Sequence, residues 1–477
     1  MLRRKEDKST QTVQESAPCA RQTEITMSCI KSMHAKGRFD KMIEIGTRAV
    51  ATCEGCDPWV ARVMWLLAVA HHNLGAHQVA SQWTKRIQTC SDPWMAATAR
   101  MLSSYISLSI GKSHSVKTEM RRAVAEMKDL ISRSVPCSNL QGKESLSLTF
   151  ASALLLFGRV LLLTDKDVPR AIDQLEFSIS VCAHVTHNAT TLFEDVTCAE
   201  VINKAYVSLM GALLMTQRLA DARLCAKQWT ALTGTTHGEN GVEMLQPLEH
   251  LTAILLLLAK SASDATTTDM LAQEAGQCLM RRCTIITGSD QLSLFDRAFK
   301  RMCIAQDTAE MCGIRNDVVG AEMSYLSVLQ PPSVLLLDLE PCGRNGVGET
   351  HQRLGNLLLM KMQPSQPGRA AVHLQEALVR CQREEGRQHL LTFPDLLHSL
   401  GLCFQQTGDL DLALHYAERW EKHCVDVSCA DAAEAHKLVA NITLMRTARH
   451  LPPAPPAPPA AAVISSPWTG PDDPWLD

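Results

Sequence analysis

The tripeptide Asp-Pro-Trp stands at residues 57–59 and again at 92–94, thirty-five residues later, each time ahead of a helix-like run. An aspartate accepts hydrogen bonds from the free amides at a helix start. A proline in the first turn loses nothing, because its missing N–H has no partner there. Asp57 and Asp92 therefore read as equivalent caps of successive units, with Pro58 in the first turn. Downstream, Met64, Leu67, Ala68 and His71 fall on one side of a helix at spacings of three and four. Gly75 allows a turn, and Ala80, Trp83 and Ile87 continue a second stripe. A period near thirty-five is that of a two-helix unit, which buries its apolar faces only by stacking on neighbours.

Composition fits such a chain. Of 477 residues, 46% are apolar and 20% charged, as in folded rather than disordered proteins. Aromatics make up only 4%, so Leu, Ala and Met must fill most of the core. The net charge of -3, without a long basic block, argues against a nucleic-acid partner. The opening "MLRRKEDKSTQTVQES" has no apolar core of a secretion signal. The 18 cysteines are therefore expected as buried free thiols in a reducing compartment, for example Cys182, Cys225 and Cys403, and the sequons at Asn188 and Asn441 as unused. No membrane insertion is expected: the run from Leu251 to Lys260 is short of about 20 residues, and Arg159 interrupts the apolar run around it.

The segment "LLHSLGLCFQQTGDLDLALHYAERW" carries a family resemblance. Leu400 and Gly401 stand where the tetratricopeptide repeat family places its Leu-Gly pair, and Phe404 where it places a large residue of helix A. Gly408 matches the turn, Ala413 the early contact of helix B and Trp420 its later apolar position. The small residues let two helices approach, and Gly408 tolerates the backbone shape of the reversal. Weaker copies supply Gly37 and Ala49; Leu67, Gly75 and Ala80; Gly158 and Ala171; Leu209, Ala222 and Trp229; and Gly355, Ala370 and Ala377. The copy with Ala222 lacks the turn glycine. Gly355 and Gly401 lie 46 residues apart, longer than the simple 34-residue unit, and this expansion is similar to kinesin light chains and, in layout, to the tetratricopeptide repeat protein 23 family.

The resemblance implies an all-α fold, a right-handed α-solenoid of roughly eight to ten antiparallel helix pairs. Residues 1–22 are expected to be disordered and 23–330 to form the repeat array, with degenerate repeats or a helical insertion over 240–330. Prolines and glycines mark 331–350 as a linker between two blocks, with the second block at 351–446. The tail, 447–477, is Pro-rich, with nine of the chain's 21 prolines in its last 27 residues, so it has no packed core.

No chemical motif rises above this framework. Cys53 and Cys56 have metal-ligand spacing but no second pair follows, so they read as an ordinary loop. "CGRNGVGET", with Gly343, Gly346 and Gly348, lacks the Lys-Ser/Thr ending of a phosphate loop and reads as linker. No catalytic residue, metal or cofactor is assigned. The expected function is a non-catalytic scaffold or adaptor in the cytoplasm, in a ciliary, cytoskeletal or motor complex, that binds peptide or helical segments of other proteins. A helical subunit regulating an enzyme, or an all-helical enzyme, are the alternatives. Helix A faces would line the concave wall, and His72, Asn73, His398, Ser399 and Gln405 are the candidate partner-binding residues. Gln405 and Gln406 are uncharged where a chaperone-tail clamp needs cations. Trp468 and Trp475, in an acidic tail, are candidates for docking a partner or for packing on the last helix.

Overall fold

The computed structural model describes residues 26–450 apart from 31, 34–37, 53–57, 91, 112, 134–139, 165–166, 186–188, 192–195, 363, 384–392 and 428–429. Nearly all of them are helical, and the only strand-like feature among the described residues is an isolated antiparallel bridge between Thr190 and Thr197. The chain divides into two compact units: residues 1–239 with 246–258, and 240–245 with 259–477.

In the first unit α1 (Phe39–Ala51) precedes four antiparallel hairpins. They are α2 (Pro58–Asn73) with α3 (His77–Gln88), α4 (Pro93–Ser109) with α5 (Ser113–Arg133), α6 (Leu140–Thr164) with α7 (Val168–Cys182), and α8 (Cys198–Met215) with α9 (Leu219–His237). Most of α10 (Leu245–Ser261) also belongs here. The second unit holds α11 (Ala265–Gly288), α12 (Leu294–Ile314), α13 (Val318–Val328), α14 (Pro331–Leu337), α15 (Pro341–Met360), α16 (Pro367–Arg383), α17 (Phe393–Thr407), α18 (Leu410–Val427) and α19 (Ala432–His450). Its hairpins are α12/α13, α15/α16 and α17/α18. Each unit is thus an all-α stack of repeated hairpins, a solenoid of the tetratricopeptide type.

The caps and turns follow the sequence closely. Asp92 accepts from the amides of Trp94 and Met95 at the start of α4, while Asp57 lies outside the described residues. One turn closes helix A in three hairpins. The amides of Ala76, Arg218 and Asp317 reach back five residues to the carbonyls of His71, Leu213 and Cys312, at 2.8, 2.9 and 2.8 Å. The residue before each of them has positive φ: Gly75 at 77°, Gln217 at 57° and Asn316 at 58°. This is a Schellman closure, which calls for a left-handed residue. The turn without a glycine therefore keeps the geometry and places Gln217 in a region that disfavours a Cβ. Gly408, at φ 83°, ends α17.

Packing within α6/α7 and α15/α16 depends on a glycine facing a leucine. A Cβ on Gly355 would lie 2.6 Å from Leu374 Cγ, and one on Gly158 2.9 Å from Leu175 Cγ. Gly401, expected at the closest contact, has more room: its Cβ would sit 3.4 Å from Leu438 and 3.8 Å from the Ala413 carbonyl. Ala80, Ala222 and Ala413 are fully buried on the facing helices, and Phe404 stacks on Tyr416 at 5.6 Å. Trp229, also fully buried, donates to Asn203 Oδ1 at 2.8 Å and stacks on Tyr206.

Three expectations are corrected. Residues 331–350 are not a linker: Pro331 and Pro341 each sit at a helix start, where proline is tolerated. The glycines that follow serve close approach: a Cβ at Gly343 would strike the Leu337 carbonyl, and Gly346 lies under Met302 and accepts from Gln306 Nε2 at 3.1 Å. The division between units falls near 239–259 instead. Second, the apolar runs belong to longer helices than they suggest. Residues 144–164, 198–215 and 242–261 are each long and apolar enough to cross a membrane, and 61, 50 and 56% of their windows is buried in the array. Third, Cys90 is disulfide-bonded, whereas Cys182, Cys225 and Cys403 are buried free thiols. Burial pushes the Cys225 and Cys403 thiols up to about 12.

Two substitutions test this account by urea unfolding. Gly355→Ala should cost about 1–3 kcal/mol through overpacking, whereas Gly401→Ala should be neutral or stabilise by up to about 1 kcal/mol through helix propensity. Gln217→Gly should raise stability by about 0.5–1 kcal/mol by relieving the left-handed strain, and a lower unfolding midpoint would contradict that turn.

Candidate functional site

A hairpin repeat uses one side of helix A against its own helix B and leaves another side open. In α2, Leu66, Leu67 and Ala70 are buried in the core. Trp65, Val69, His72 and Asn73 fall at i, i+4, i+7 and i+8 and line a groove. The groove runs along the first unit and has a volume of about 260 Å³. α4 contributes Thr98, Met101, Leu102 and Tyr105. α6 contributes Thr149, Ser152, Leu155, Leu156 and Arg159, and α8 contributes Lys204. Its floor is apolar and its polar groups are few and placed singly, as in binding clefts generally.

The electrostatics of the groove are one-sided. Its lining includes the exposed cations Arg159 and Lys204 and no aspartate or glutamate. Neither cation's side chain has a hydrogen-bonding or ion-pair partner among the described residues. At one edge His72 Nδ1 lies 3.1 Å from His77 Nδ1, and Tyr105 packs edge-on against the His72 ring at 5.3 Å. One imidazole must donate and the other accept, so the pair opposes double protonation. Burial, and then the proximity of His77, lowers the His72 pKa. The groove at neutral pH is therefore cationic through Arg159 and Lys204 and not through histidine.

The sequence candidates divide unevenly. His72 and Asn73 line this groove. His398, Ser399 and Gln405 belong to α17 in the second unit. There His398 is half-buried and stacks on Trp420 at 4.3 Å, and Gln405 Nε2 donates to Met445 Sδ at 3.3 Å. Ser399 is corrected: at 3% exposure it is buried on α17 with Leu396, Leu400 and Cys403. Trp468, Trp475, Cys53 and Cys56 lie outside the described residues. Among the described residues no three metal-ligating side chains cluster. Trp65, Tyr105, Arg159 and Lys204 are the groove residues that sequence reading missed. Arg159 was visible in the sequence only as a break in an apolar run.

A second histidine pair occurs in the other unit, where His351 Nδ1 of α15 lies 3.0 Å from His373 Nδ1 of α16. Burial lowers His351 to about 4, helped by His373 and Arg380 and opposed by Glu376 and Asp338. Burial also lowers His373.

No family model matches the sequence, and no curated protein sequence matches it. Solved structures do match in fold. The apo form of RapI is 9% identical, with a TM-score of 0.52 over 88% of this chain and 98% of that one. The apo quorum sensor NprR from B. thuringiensis is 10% identical, with a TM-score of 0.36 over 80% of this chain and 97% of that one. The Cut9–Hcn1 hetero-tetramer of the APC/C is 10% identical, with a TM-score of 0.32 over 92% and 93%. The RapI likeness shows a shared fold.

The histidine pairs predict a pH dependence with a definite sign. An imidazole near its ordinary 6.5 in the unfolded chain binds a proton before the folded His351 does. Stability is therefore complete above pH 6.5 and is lost as pH falls toward about 4. Thermal melts across that range should show a falling Tm, and His351→Gln should flatten the fall. An unchanged slope in the variant would remove His351 from the account.

Proposed function

We propose that this chain is a non-catalytic protein-interaction scaffold whose first unit holds an extended segment of a partner protein along α2, α4, α6 and α8. The carrying observation is the groove itself: an open apolar floor with Arg159 and Lys204 unpartnered beside it. The second unit contributes stacked hairpins whose own candidate residues are largely engaged in internal contacts. A repeat stack gives each A helix an open side, and a segment laid across several such sides can contact many residues at once.

RapI, whose fold this chain shares, is itself described in an apo form. The partners proposed here are proteins in a larger cytoplasmic complex. Support for a ciliary or motor setting comes from the expanded 46-residue spacing of Gly355 and Gly401 alone.

Filling the groove tests the proposal. Ser152 is half-buried in its lining, so Ser152→Trp should obstruct the floor without removing a core side chain. Capture from cell extract, quantified by mass spectrometry, should find stoichiometric partners on the wild-type chain and about tenfold less of them on the variant, at an unchanged melting temperature. Equal capture by both proteins would move the docking surface elsewhere. A tightly bound cofactor with turnover would replace the scaffold reading with an enzymatic one.

A further inference from the structure

We infer that Cys182 and Cys198 form a redox-sensitive staple, a dithiol that closes to a disulfide under oxidising conditions and ties the hairpin α6/α7 to the hairpin α8/α9. The inference does not depend on what the groove binds.

Cys182 is the last residue of α7 and Cys198 the first of α8. The connection between them brings both side chains to one buried spot, at 1% and 0% exposure. The Cys198 thiol donates to the Cys182 carbonyl at 3.6 Å, and the two thiols also hydrogen-bond to each other. Local structure holds this approach. Thr197 and Glu200 cap the start of α8 reciprocally, at 3.3 and 2.9 Å. The Cys198 amide donates to the Ala189 carbonyl at 3.2 Å, and the Thr191 amide to the Val196 carbonyl at 3.0 Å. Thiols already in contact meet the first requirement of a disulfide, that the two side chains converge.

The two thiols are unequal. The hydrogen bond with Cys182 favours the Cys198 thiolate and lowers its pKa, against burial and the charge of Glu144, which raise it. The same hydrogen bond, with burial, raises Cys182. Cys198 also stands in the first turn of α8, where unpaired amides favour an anion. Cys198 is therefore the attacking sulfur and Cys182 the resolving one. The oxidant is a small-molecule disulfide such as oxidised glutathione. The Cys198 thiolate attacks one of its sulfurs, the oxidant's S–S bond breaks, and one small thiolate leaves. Cys182 then attacks the Cys198 sulfur of the mixed disulfide and expels the second small thiolate. The protons of the two protein thiols end on the two small thiols, so one disulfide is formed and one is reduced.

Burial sets the rate of this exchange. Val185, Ala189 and Thr191 of the connection are buried as well, so the oxidant reaches the pair only when the connection opens. The bond closes the loop from Cys182 to Cys198 and constrains the unfolded chain. It also crosses the seam between consecutive hairpins, which α7 and α8 otherwise hold by packing. Because α6 and α8 both line the groove, the bond fixes two of its walls to each other. The Cys225 and Cys403 thiols, pushed up to about 12 with burial as the largest cause, stay protonated and serve as internal controls.

The experiment incubates the full-length chain in glutathione buffers of increasing oxidised fraction, blocks remaining thiols with N-ethylmaleimide and maps the digested protein by mass spectrometry. The expected product is a peptide linked through Cys182 and Cys198, formed while Cys225 and Cys403 are still alkylated as thiols. The oxidised chain should melt about 3–6 °C above the reduced one. In Cys182→Ala the reaction should stop at a glutathione adduct on Cys198, and in Cys198→Ala the adduct on Cys182 should form about tenfold more slowly. Should either variant fail to fold, the mapping and melting of the wild-type chain decide alone. Oxidation that begins only where the chain unfolds, or that pairs Cys182 or Cys198 with other cysteines, overturns the inference. A linked form that melts no higher than the dithiol overturns the stapling role. Faster adduct formation on Cys182 than on Cys198 overturns the assignment of the attacking sulfur.

Discussion

The contact on which two of the hairpins, α6/α7 and α15/α16, depend is that of a glycine on helix A with a leucine on helix B. Gly158 against Leu175 and Gly355 against Leu374 leave no space for a methyl group. That closeness fixes both the separation and the register of the two helices, because the leucine side chain enters the position a Cβ would occupy. The remaining apolar residues then have defined places. Leu354, Leu358, Leu374 and Leu378 join one continuous core with the next hairpin's Leu396 and Leu400. A chain with 4% aromatics has few large side chains for filling gaps, so it must bring its helices together.

Closeness alone does not set how one helix returns along the other. That is the task of the turn, and the turn here is more uniform than its sequence. Gly75, Gln217 and Asn316 adopt nearly the same backbone shape and close the same pair of hydrogen bonds. Asparagine enters the left-handed region readily, while glutamine does so less readily and is held by the packing on either side. Tertiary contacts thus override a local preference at Gln217, and a repeat persists where its signature residue is missing.

This explains which parts were legible in the sequence. Asp92, Gly75, Gly408 and the buried Ala80, Ala222 and Ala413 each answer to a local rule of capping, turning or close packing, and those rules act within one hairpin. Pro331, Pro341 and Gly343 obey local rules too, but each is ambiguous between breaking a helix and starting one. Their reading as a linker failed because Leu337 and Met302, which these glycines accommodate, are distant or unmarked in sequence. Ser399 failed for a related reason: its polarity suggested solvent, while its position on α17 between Leu396 and Cys403 turns it inward.

The groove was the least legible part because it is defined by what the fold does not use. A helix A residue that neither meets its helix B nor the next hairpin contributes little to stability, and no packing rule dictates its type. Arg159 follows directly on Gly158, so a position with the strictest packing constraint adjoins one with almost none. The 100° step between them turns one residue into the hairpin and the next toward the open side. Residues of the second kind are free to carry recognition.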